Sequence, residues 1–206
     1  MNRLSPEMIQ SYAGQRRKMV EEQLVERGIK DLRVLEAMSR VPRHLFAQES
    51  LQHRAYGDTP LPIGENQTIS QPYIVALMTE LVELNGDEKI LEIGTGSGYQ
   101  AAVLSPLVSE VFSIEIVKNL VDSAAVLLNK LGYKNVTTRW GDGYKGWPDQ
   151  APFDGIIVTA APDIIPQPLI DQLKTGGRLV VPVGTRRQEL KVITKNDDGT
   201  IQSKNI

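Results

Sequence analysis

The spacing of hydrophobic residues changes about a third of the way along the chain. In the first part, apolar side chains recur among charged ones at helical spacing, and residues 13–27 form a stretch that ends at Gly28, a residue typical of a helix C-cap. Asp31 follows as a candidate N-cap, and the next stretch stops before Pro42. We therefore expect a helical N-terminal extension over residues 1–53.

Beyond this extension, short apolar runs alternate with stretches of helical period. Five runs have the length and composition of buried strands, at 89–94, 110–116, 135–140, 153–160 and 177–184. Helical period is found at 74–82, 117–131 and 166–174. A final hairpin is predicted to turn at Asn196–Gly199. Strands joined by helices predict an α/β fold with a doubly wound, mostly parallel sheet and a C-terminal antiparallel hairpin.

Residues 54–70, between the extension and the first of these helices, show neither period. They contain several turn-forming residues, Gly57, Pro60, Pro62 and Gly64. Long loops inside a domain are usually functional or disordered, and the apolar residues Leu61, Ile63 and Ile69 indicate that this one packs against the domain. We interpret 54–70 as a candidate active-site loop without regular structure.

Composition excludes several kinds of chemistry. The 206 residues are 41% hydrophobic and 23% charged, as in ordinary folded domains, and the net charge of −2 gives no electrostatic case for binding nucleic acid. Because the chain has no cysteine, thiolate nucleophiles and cysteine-ligated metals are excluded. Two histidines, His44 and His53, are too few for a multi-histidine site, so we expect no metal.

The N-terminal region also bears on localisation. The first 30 residues mix basic and acidic side chains and lack the apolar core of a signal peptide. No apolar stretch approaches the roughly 18 residues that a membrane-spanning helix needs. We therefore expect a cytoplasmic protein with no membrane partner.

A glycine loop follows the first strand of the alternating region. The segment Gly94-Thr95-Gly96-Ser97-Gly98 leads into a helix, which is where a doubly wound sheet binds a nucleotide. A dinucleotide fingerprint would need glycine where this chain has Tyr99, and no lysine follows as in a P-loop. The loop therefore fits a ligand without a pyrophosphate, and Glu92 beside it can accept an ammonium group.

Carboxylates also follow the next two strands. Glu115 lies about 20 residues after Gly94, the distance from which a carboxylate accepts both ribose hydroxyls. Asp142, followed by Gly143, is placed to accept the amino group of adenine. Either glycine segment alone is often only a tight turn. In this order, at successive strand ends, they predict S-adenosylmethionine as cofactor and S-adenosylhomocysteine as its product.

Several longer segments then form one pattern. They are VPRHLF (41–46), PLPIGENQTISQPYIVALMTELVEL (60–84), KILEIGTGSGYQAA (89–102), GDGYKGW (141–147), PFDGIIVTAAP (152–162) and GGRLVVPVG with QEL (176–190). Together they resemble the protein-L-isoaspartate O-methyltransferases, a branch of the class I S-adenosylmethionine-dependent methyltransferases. The resemblance covers about residues 15–195, and QTISQP together with VTAAP is characteristic of this branch.

The resemblance implies a protein-repair activity. Family members methylate the α-carboxylate of L-isoaspartyl residues in damaged proteins and peptides, and the ester collapses to a succinimide that returns in part to L-aspartate. Ser70 matches the active-site serine, and Thr68 and Ile69 match residues along the methionine end of the cofactor. The predicted cofactor contacts are Thr68, Ile69, Ser70, Glu92, Gly94, Thr95, Gly96, Ser97, Glu115, Ile116, Asp142 and Gly143. The predicted substrate contacts are Ser70, Pro62, Ile63, Thr159 and Ala160.

This chemistry agrees with the composition. A substrate carboxylate is an anion at neutral pH and can attack a sulfonium methyl group without a general base or metal. Ser70 would orient that carboxylate by donating a hydrogen bond. An alternative is that Ser70 merely caps the helix that begins at Gln71 and Pro72. The two tryptophans, Trp140 and Trp147, are candidates for stacking on adenine or for packing alone.

Two departures from the family pattern bear on activity. Asn66 stands where the family usually has glycine, and asparagine tolerates a left-handed backbone better than most residues. The chain ends at Ile206, so we expect a truncated C-terminal hairpin that lacks the family's last strand. We expect one methyltransferase domain over 1–206, a monomer, with 71–206 as the cofactor-binding core.

Three alternatives stay open from the sequence. One is a class I methyltransferase that acts on another carboxylate, a small molecule or RNA. The second is a cofactor-binding module inactivated by the short C-terminus. The third, a nicotinamide oxidoreductase, is disfavoured by Tyr99 in the glycine loop.

Overall fold

The computed structural model describes residues 12–184 and 187–206. In chain order, the strands of this part are β1 (Leu61–Gly64), β2 (Gln67–Ile69), β3 (Lys89–Ile93), β4 (Glu110–Glu115), β5 (Val136–Trp140), β6 (Phe153–Val158), β7 (Leu173–Val183), β8 (Glu189–Lys195) and β9 (Ile201–Asn205). The α-helices are α1 (Ala13–Lys18), α2 (Leu32–Arg40), α3 (Pro72–Leu81), α4 (Tyr99–Leu104), α5 (Lys118–Leu131) and α6 (Gln167–Asp171). Among these helices, none is both long enough and apolar enough to cross a membrane.

Seven of the described strands form one sheet in the order β5-β4-β3-β6-β7-β8-β9. Strands β3 to β7 pair in parallel, whereas β8 and β9 add as an antiparallel pair. The chain runs outward from β3 to β5 and then returns to place β6 on the other side of β3, so the order reverses beside β3. Such a reversal opens a crevice at the carboxyl ends of the strands. The predicted doubly wound fold and its terminal hairpin are confirmed.

Apolar clusters cover the sheet on both faces, as buried parallel strands require. One cluster joins the sheet to the N-terminal helices and to α3, α4 and α5. The other contains Phe112, Trp147 and Phe153, and the rings of Phe112 and Trp147 meet edge to face with centroids 5.3 Å apart. Trp147 therefore packs within the core, which was the alternative to stacking on adenine.

The N-terminal extension packs against this core. Helix α1 continues as a π-helical segment over Met19–Val25, in which Met19 and Leu24 are fully buried. Asp31 caps α2, because its side chain accepts hydrogen bonds from the backbone N–H groups of Arg33 and Val34. The predicted helices are thus confirmed here, while residues 1–11 of the predicted extension lie outside the described residues.

The prediction of an irregular loop over 54–70 is wrong in part, because β1 and β2 form an antiparallel hairpin. Each strand is only three or four residues long, and the register shifts between Pro62 and Gly64, so no strand period is visible in the sequence. Glu65 and Asn66 make the turn with φ of 51° and 56°. Asn66 therefore takes the left-handed backbone that it was expected to tolerate.

The prediction of a helix over 166–174 is also wrong at its C-terminal end. Helix α6 ends at Asp171, and Leu173 already belongs to β7. Leu169 and Leu173 are both buried four residues apart, a spacing that imitates a helix face. Gly177 does not follow a helix; a Cβ there would lie 2.7 Å from the carbonyl oxygen of Asp154. Glycine is needed at this point because two strands approach closely.

Candidate active site

A cavity of 310 Å³ lies at the carboxyl ends of the parallel strands. Its wall is formed by the loops after β3, β5 and β6, the end of β4, and β2 with the residue that follows it. Fourteen of the predicted site residues border it: Thr68, Ile69, Ser70, Glu92, Gly94, Thr95, Gly96, Ser97, Glu115, Ile116, Asp142, Gly143, Thr159 and Ala160. The other two, Pro62 and Ile63, do not border it. The hairpin places Ile63 against the glycine loop instead, since its Cδ1 lies 3.4 Å from where a Cβ on Gly96 would be.

The glycine loop approaches the end of β6 too closely for side chains. Gly94 has φ of 96°, and a Cβ there would collide with Thr159 Oγ1. That hydroxyl lies within hydrogen-bond distance of the carbonyl oxygens of Gly94 (2.7 Å) and Ile93 (2.9 Å), to which it donates. Thr159 therefore fixes the backbone of the loop, whatever its predicted role toward substrate.

Glu92, at the end of β3, is fully buried against the cavity. Its Oε2 accepts a 2.6 Å hydrogen bond from Ser113 Oγ, whereas its Oε1 has no partner among the described residues. Burial, together with the negative charge of Glu115, raises the pKa of the Glu92 carboxyl to about 8. An unpaired oxygen of a buried carboxyl is a binding position for a cationic group.

Glu115, at the end of β4, has both carboxylate oxygens tied to backbone. Oε2 accepts from the N–H of Gly96 at 2.8 Å, and Oε1 accepts from the N–H of Val117 at 2.9 Å. Each carboxylate oxygen has a second acceptor position, so two hydroxyl groups can still donate to it. The fixed carboxylate therefore suits a vicinal diol such as that of a ribose.

Asp142 follows β5 and caps a short 3₁₀ turn, because its Oδ1 accepts from the N–H of Tyr144 at 3.0 Å. A Cβ on Gly143 would collide with the side chain of Ile93, so the turn presses directly on the end of β3. The interpretation of this segment as a tight turn is thus confirmed, and Asp142 also borders the cavity, where its contact with adenine stays a prediction. Trp140 does not border the cavity; its indole N–H donates to the carbonyl of Ile116 at 3.0 Å.

Ser70 lies between β2 and α3 and borders the same cavity as these carboxylates. The alternative that Ser70 caps α3 is wrong, because the N-cap is Gln71 and it makes no side-chain capping bond. Pro72 occupies the first turn, where its missing N–H is not needed. The position of the Ser70 hydroxyl is therefore not explained by the helix that follows it.

Comparison with known proteins assigns the family. The model of the family described as protein-L-isoaspartate(D-aspartate) O-methyltransferase matches residues 14–206. The chain belongs to this family. Protein-L-isoaspartate O-methyltransferase 1 of Syntrophobacter fumaroxidans is 64% identical over 89% of this chain and 86% of its own length. The corresponding enzyme of Geobacter metallireducens is 54% identical over 93% of this chain and 89% of its own length.

Solved structures agree with this assignment. One protein-L-isoaspartate O-methyltransferase is 34% identical, with a TM-score of 0.80 over 90% of this chain and 63% of its own length. A second, from Plasmodium falciparum and in complex with S-adenosyl-L-homocysteine, is 26% identical, with a TM-score of 0.79 over 93% of this chain and 94% of its own length.

The cavity of this methyltransferase fits S-adenosylmethionine on its own residues. The unpaired Glu92 Oε1 offers a partner for the ammonium of the methionine part. Gly94 and Gly96 in the glycine loop have no side chains to fill the adjoining space, and Glu115 and Asp142 follow at the ends of the next two strands. Three carboxyl groups therefore border one cavity at successive strand ends.

The cavity also has wall residues that the sequence analysis missed. They are Gln67, Val75, Ile93, Tyr99, Gln100, Ile114 and Tyr144. Tyr99 and Gln100 directly follow the glycine loop in the first turn of α4. Because the first turn of such a helix faces the ligand, both could have been predicted as wall residues. Tyr144 follows Gly143 in the same way. Val75 lies one turn into α3, and no local pattern distinguishes it from core residues.

Proposed function

We propose that this chain transfers the methyl group of S-adenosylmethionine to the α-carboxylate of L-isoaspartyl residues in damaged proteins and peptides. The methyl ester then collapses to a succinimide, whose hydrolysis returns part of the residues to L-aspartate. Family membership supports this activity. The observation that carries it within the structure is the cavity itself, which is bordered both by Ser70 and by the buried Glu92, whose Oε1 has no partner among the described residues.

Three carboxylates would hold the cofactor. Glu92 Oε1 accepts from the ammonium group, Glu115 accepts from the ribose hydroxyls, and Asp142 accepts from the adenine amino group. When bound, S-adenosylmethionine supplies an electrophilic methyl group on a sulfonium centre. The two backbone hydrogen bonds that already fix Glu115 mean that its carboxylate needs little reorganisation on binding.

Ser70 would orient the acceptor. The isoaspartyl α-carboxylate is ionised at neutral pH, so the nucleophile needs no general base from the protein. The Ser70 hydroxyl can donate to one carboxylate oxygen and leave the other to attack the methyl carbon. Catalysis then comes mainly from holding the reacting atoms in line, an effect worth up to ~7–11 kcal/mol in favourable cases. Thr68, Ile69 and Ala160 border the same cavity as Ser70.

The wider assignment follows from the same activity. The partners are proteins and peptides that carry L-isoaspartyl residues, and the net charge of −2 gives no reason to add nucleic acid. A cytoplasmic monomer with one methyltransferase domain stays a prediction from the sequence.

The test is methyl transfer from labelled S-adenosylmethionine to two matched peptides, one with L-isoaspartate and one with L-aspartate at the same position. Binding of S-adenosylhomocysteine is measured by calorimetry on the same sample. We expect cofactor-product binding and turnover on the isoaspartyl peptide alone. Binding without turnover on either peptide would point to another acceptor or an inactive module, and no binding would contradict the cofactor assignment.

A further inference from the structure

One side chain of the N-terminal extension contacts the chain on both sides of the β1-β2 hairpin. Arg27 Nη1 donates to Asp58 Oδ2 at 2.7 Å, before the hairpin. The guanidinium carbon of Arg27 also lies 3.6 Å from the centre of the Tyr73 ring, after the hairpin. A planar guanidinium is suited to both contacts at once, since it donates in its plane and stacks with its face.

A second pair of hydrogen bonds closes the same segment from inside. Gln71 Nε2 donates to Asp58 Oδ2 at 2.8 Å and to the Asp58 carbonyl oxygen at 3.1 Å. Asp58 Oδ2 therefore accepts from both Arg27 and Gln71. Gln71 directly follows Ser70, so these bonds anchor the side chain of the residue next to Ser70.

The hairpin needs such support from outside. It has three paired positions, from Leu61↔Ile69 to Gly64↔Gln67, and a break in register between them. An isolated two-stranded hairpin of this kind is marginal in water. The residues that join Asp58 to Gln71 are thus held by buried apolar contacts of Leu61 and Ile69 and by the polar contacts at the base.

Global stability does not explain the polar contacts well. The side chains of Arg27 and Asp58 are 41% and 34% exposed, and ion pairs at such exposure contribute little. The other oxygen of Asp58, Oδ1, is buried with no partner among the described residues, which carries a desolvation cost. The Arg27–Asp58 pair contributes little to stability and leaves Asp58 Oδ1 without a partner among the described residues. Its presence is better explained by the way it positions neighbouring residues.

We infer that Arg27, Asp58, Gln71 and Tyr73 form a clamp at the base of the hairpin and act as positioning residues for Ser70. The clamp sets how far the Ser70 hydroxyl reaches across the cavity, so it affects the placement of the substrate carboxylate rather than cofactor binding. This inference rests on the proposed function for its kinetic consequence. Its structural consequence, a hairpin held in one place, can be measured without any substrate.

The kinetic test compares Arg27→Ala and Arg27→Lys with Lys18→Ala as the matched control. Lys18 forms an exposed 3.7 Å ion pair with Glu22 in the same extension, and it contacts neither end of the hairpin. We expect Arg27→Ala to lower kcat on the isoaspartyl peptide about ten-fold, because small misplacements of a reacting group are costly, with S-adenosylhomocysteine affinity within about two-fold. Arg27→Lys keeps the ion pair with Asp58 but loses the stacking of a planar guanidinium on the Tyr73 ring. Its kcat should therefore lie between those of the parent and Arg27→Ala.

The structural test is amide hydrogen exchange without ligand. We expect Arg27→Ala and Asp58→Asn each to speed exchange within 61–71 about ten-fold, with unchanged protection in β3. Lys18→Ala should leave both regions at the parent rate. Parent-like exchange in the hairpin together with parent-like kcat would overturn the clamp. A lower melting temperature with unchanged kcat well below it would also overturn it, since that is a stability role alone.

The two proposals fail in different ways. If the parent chain does not methylate the isoaspartyl peptide, the proposed function is wrong, and hydrogen exchange over 61–71 still decides whether the clamp holds the hairpin. If the parent chain is active and the Arg27 variants match it in kcat and exchange, only the clamp is wrong.

Discussion

The Ser113 hydroxyl donates a 2.6 Å hydrogen bond to Glu92 Oε2, whereas Glu92 Oε1 has no partner among the described residues. Ser113 is itself within 2.6 Å of Thr95 Oγ1, so the carboxyl is linked to the glycine loop through two hydroxyl groups. The pair orients the carboxyl before any ligand binds. A cationic ligand group then meets a carboxyl whose orientation is already fixed.

Glu92→Gln should therefore weaken cofactor binding more than it disturbs the fold. The amide has nearly the same shape but lacks the charge that pairs with an ammonium group. A charge-assisted hydrogen bond contributes about 1.5–3 kcal/mol, so the Kd of S-adenosylhomocysteine should rise roughly ten-fold to a hundred-fold. Calorimetry above about pH 8, where the Glu92 carboxyl is mostly ionised, measures this on Glu92→Gln, with the exposed Glu110→Gln as control. An unchanged Kd in Glu92→Gln would remove Glu92 from the site.

The same carboxyl predicts how binding depends on pH. Because burial raises its pKa to about 8, Glu92 is mostly protonated at pH 6 and gains its charge as pH rises toward 8. Affinity for S-adenosylhomocysteine should rise over this window by up to about ten-fold per pH unit and then level off. Glu92→Gln should show a flat profile in the same range. A flat profile in the parent chain would mean that Glu92 does not receive the ligand cation.

The free energy of unfolding without ligand should change with pH in the opposite direction to ligand affinity. The folded pKa of Glu92 lies above the ordinary value of 4.5, so the native state binds a proton more readily than the unfolded state. That contribution is fully present below about pH 4.5 and is lost as pH rises through about 8. From pH 5 to 8, the melting temperature of the parent chain should therefore fall relative to that of Glu92→Gln. A constant difference across these pH values would contradict the raised pKa.

Local signals account for what the sequence predicts correctly. The glycine loop, Glu115 and Asp142 each stand at the end of a strand with a clear apolar run, and parallel strands bring their carboxyl ends to one edge of a sheet. Fourteen predicted residues consequently border one cavity. Their individual roles toward cofactor and substrate stay predictions.

Features that depend on distant residues are not visible in local patterns. Arg27, which donates a hydrogen bond to Asp58 at the base of the hairpin, lies 31 residues from Asp58 in the chain. The break between α6 and β7 falls inside a leucine spacing that fits a helix, and pairing of Leu173 with Phe153 decides the outcome. In both places tertiary contacts override a short local signal.

The glycine loop gives a prediction about packing. Gly94→Ala would place a Cβ against Thr159 Oγ1 at a backbone φ of 96°, so it should destabilise the fold by about 1–3 kcal/mol and weaken S-adenosylhomocysteine binding. Gly14→Ala is the matched control, because Gly14 lies in α1 with nothing within 4 Å of the added Cβ. That substitution should stabilise by roughly 0.5–1 kcal/mol. Equal melting temperatures for the two variants would show that the loop is not closely packed.

Ser70→Ala separates orientation of the acceptor from support of the helix. Since Gln71 and not Ser70 is the N-cap of α3, the loss of about 1 kcal/mol typical of a removed cap is not expected, and the free energy of unfolding should stay within about 0.5 kcal/mol. Affinity for S-adenosylhomocysteine should stay within a few-fold, because three carboxylates and the glycine loop are intact. Turnover on the isoaspartyl peptide should fall, since the substrate carboxylate loses its hydrogen-bond donor.

Ser123→Ala on α5, where the hydroxyl donates to the Asn119 carbonyl, is the control for removing a serine hydroxyl elsewhere. Parent-like turnover in Ser70→Ala would contradict the proposed role of the Ser70 hydroxyl in orienting the carboxylate.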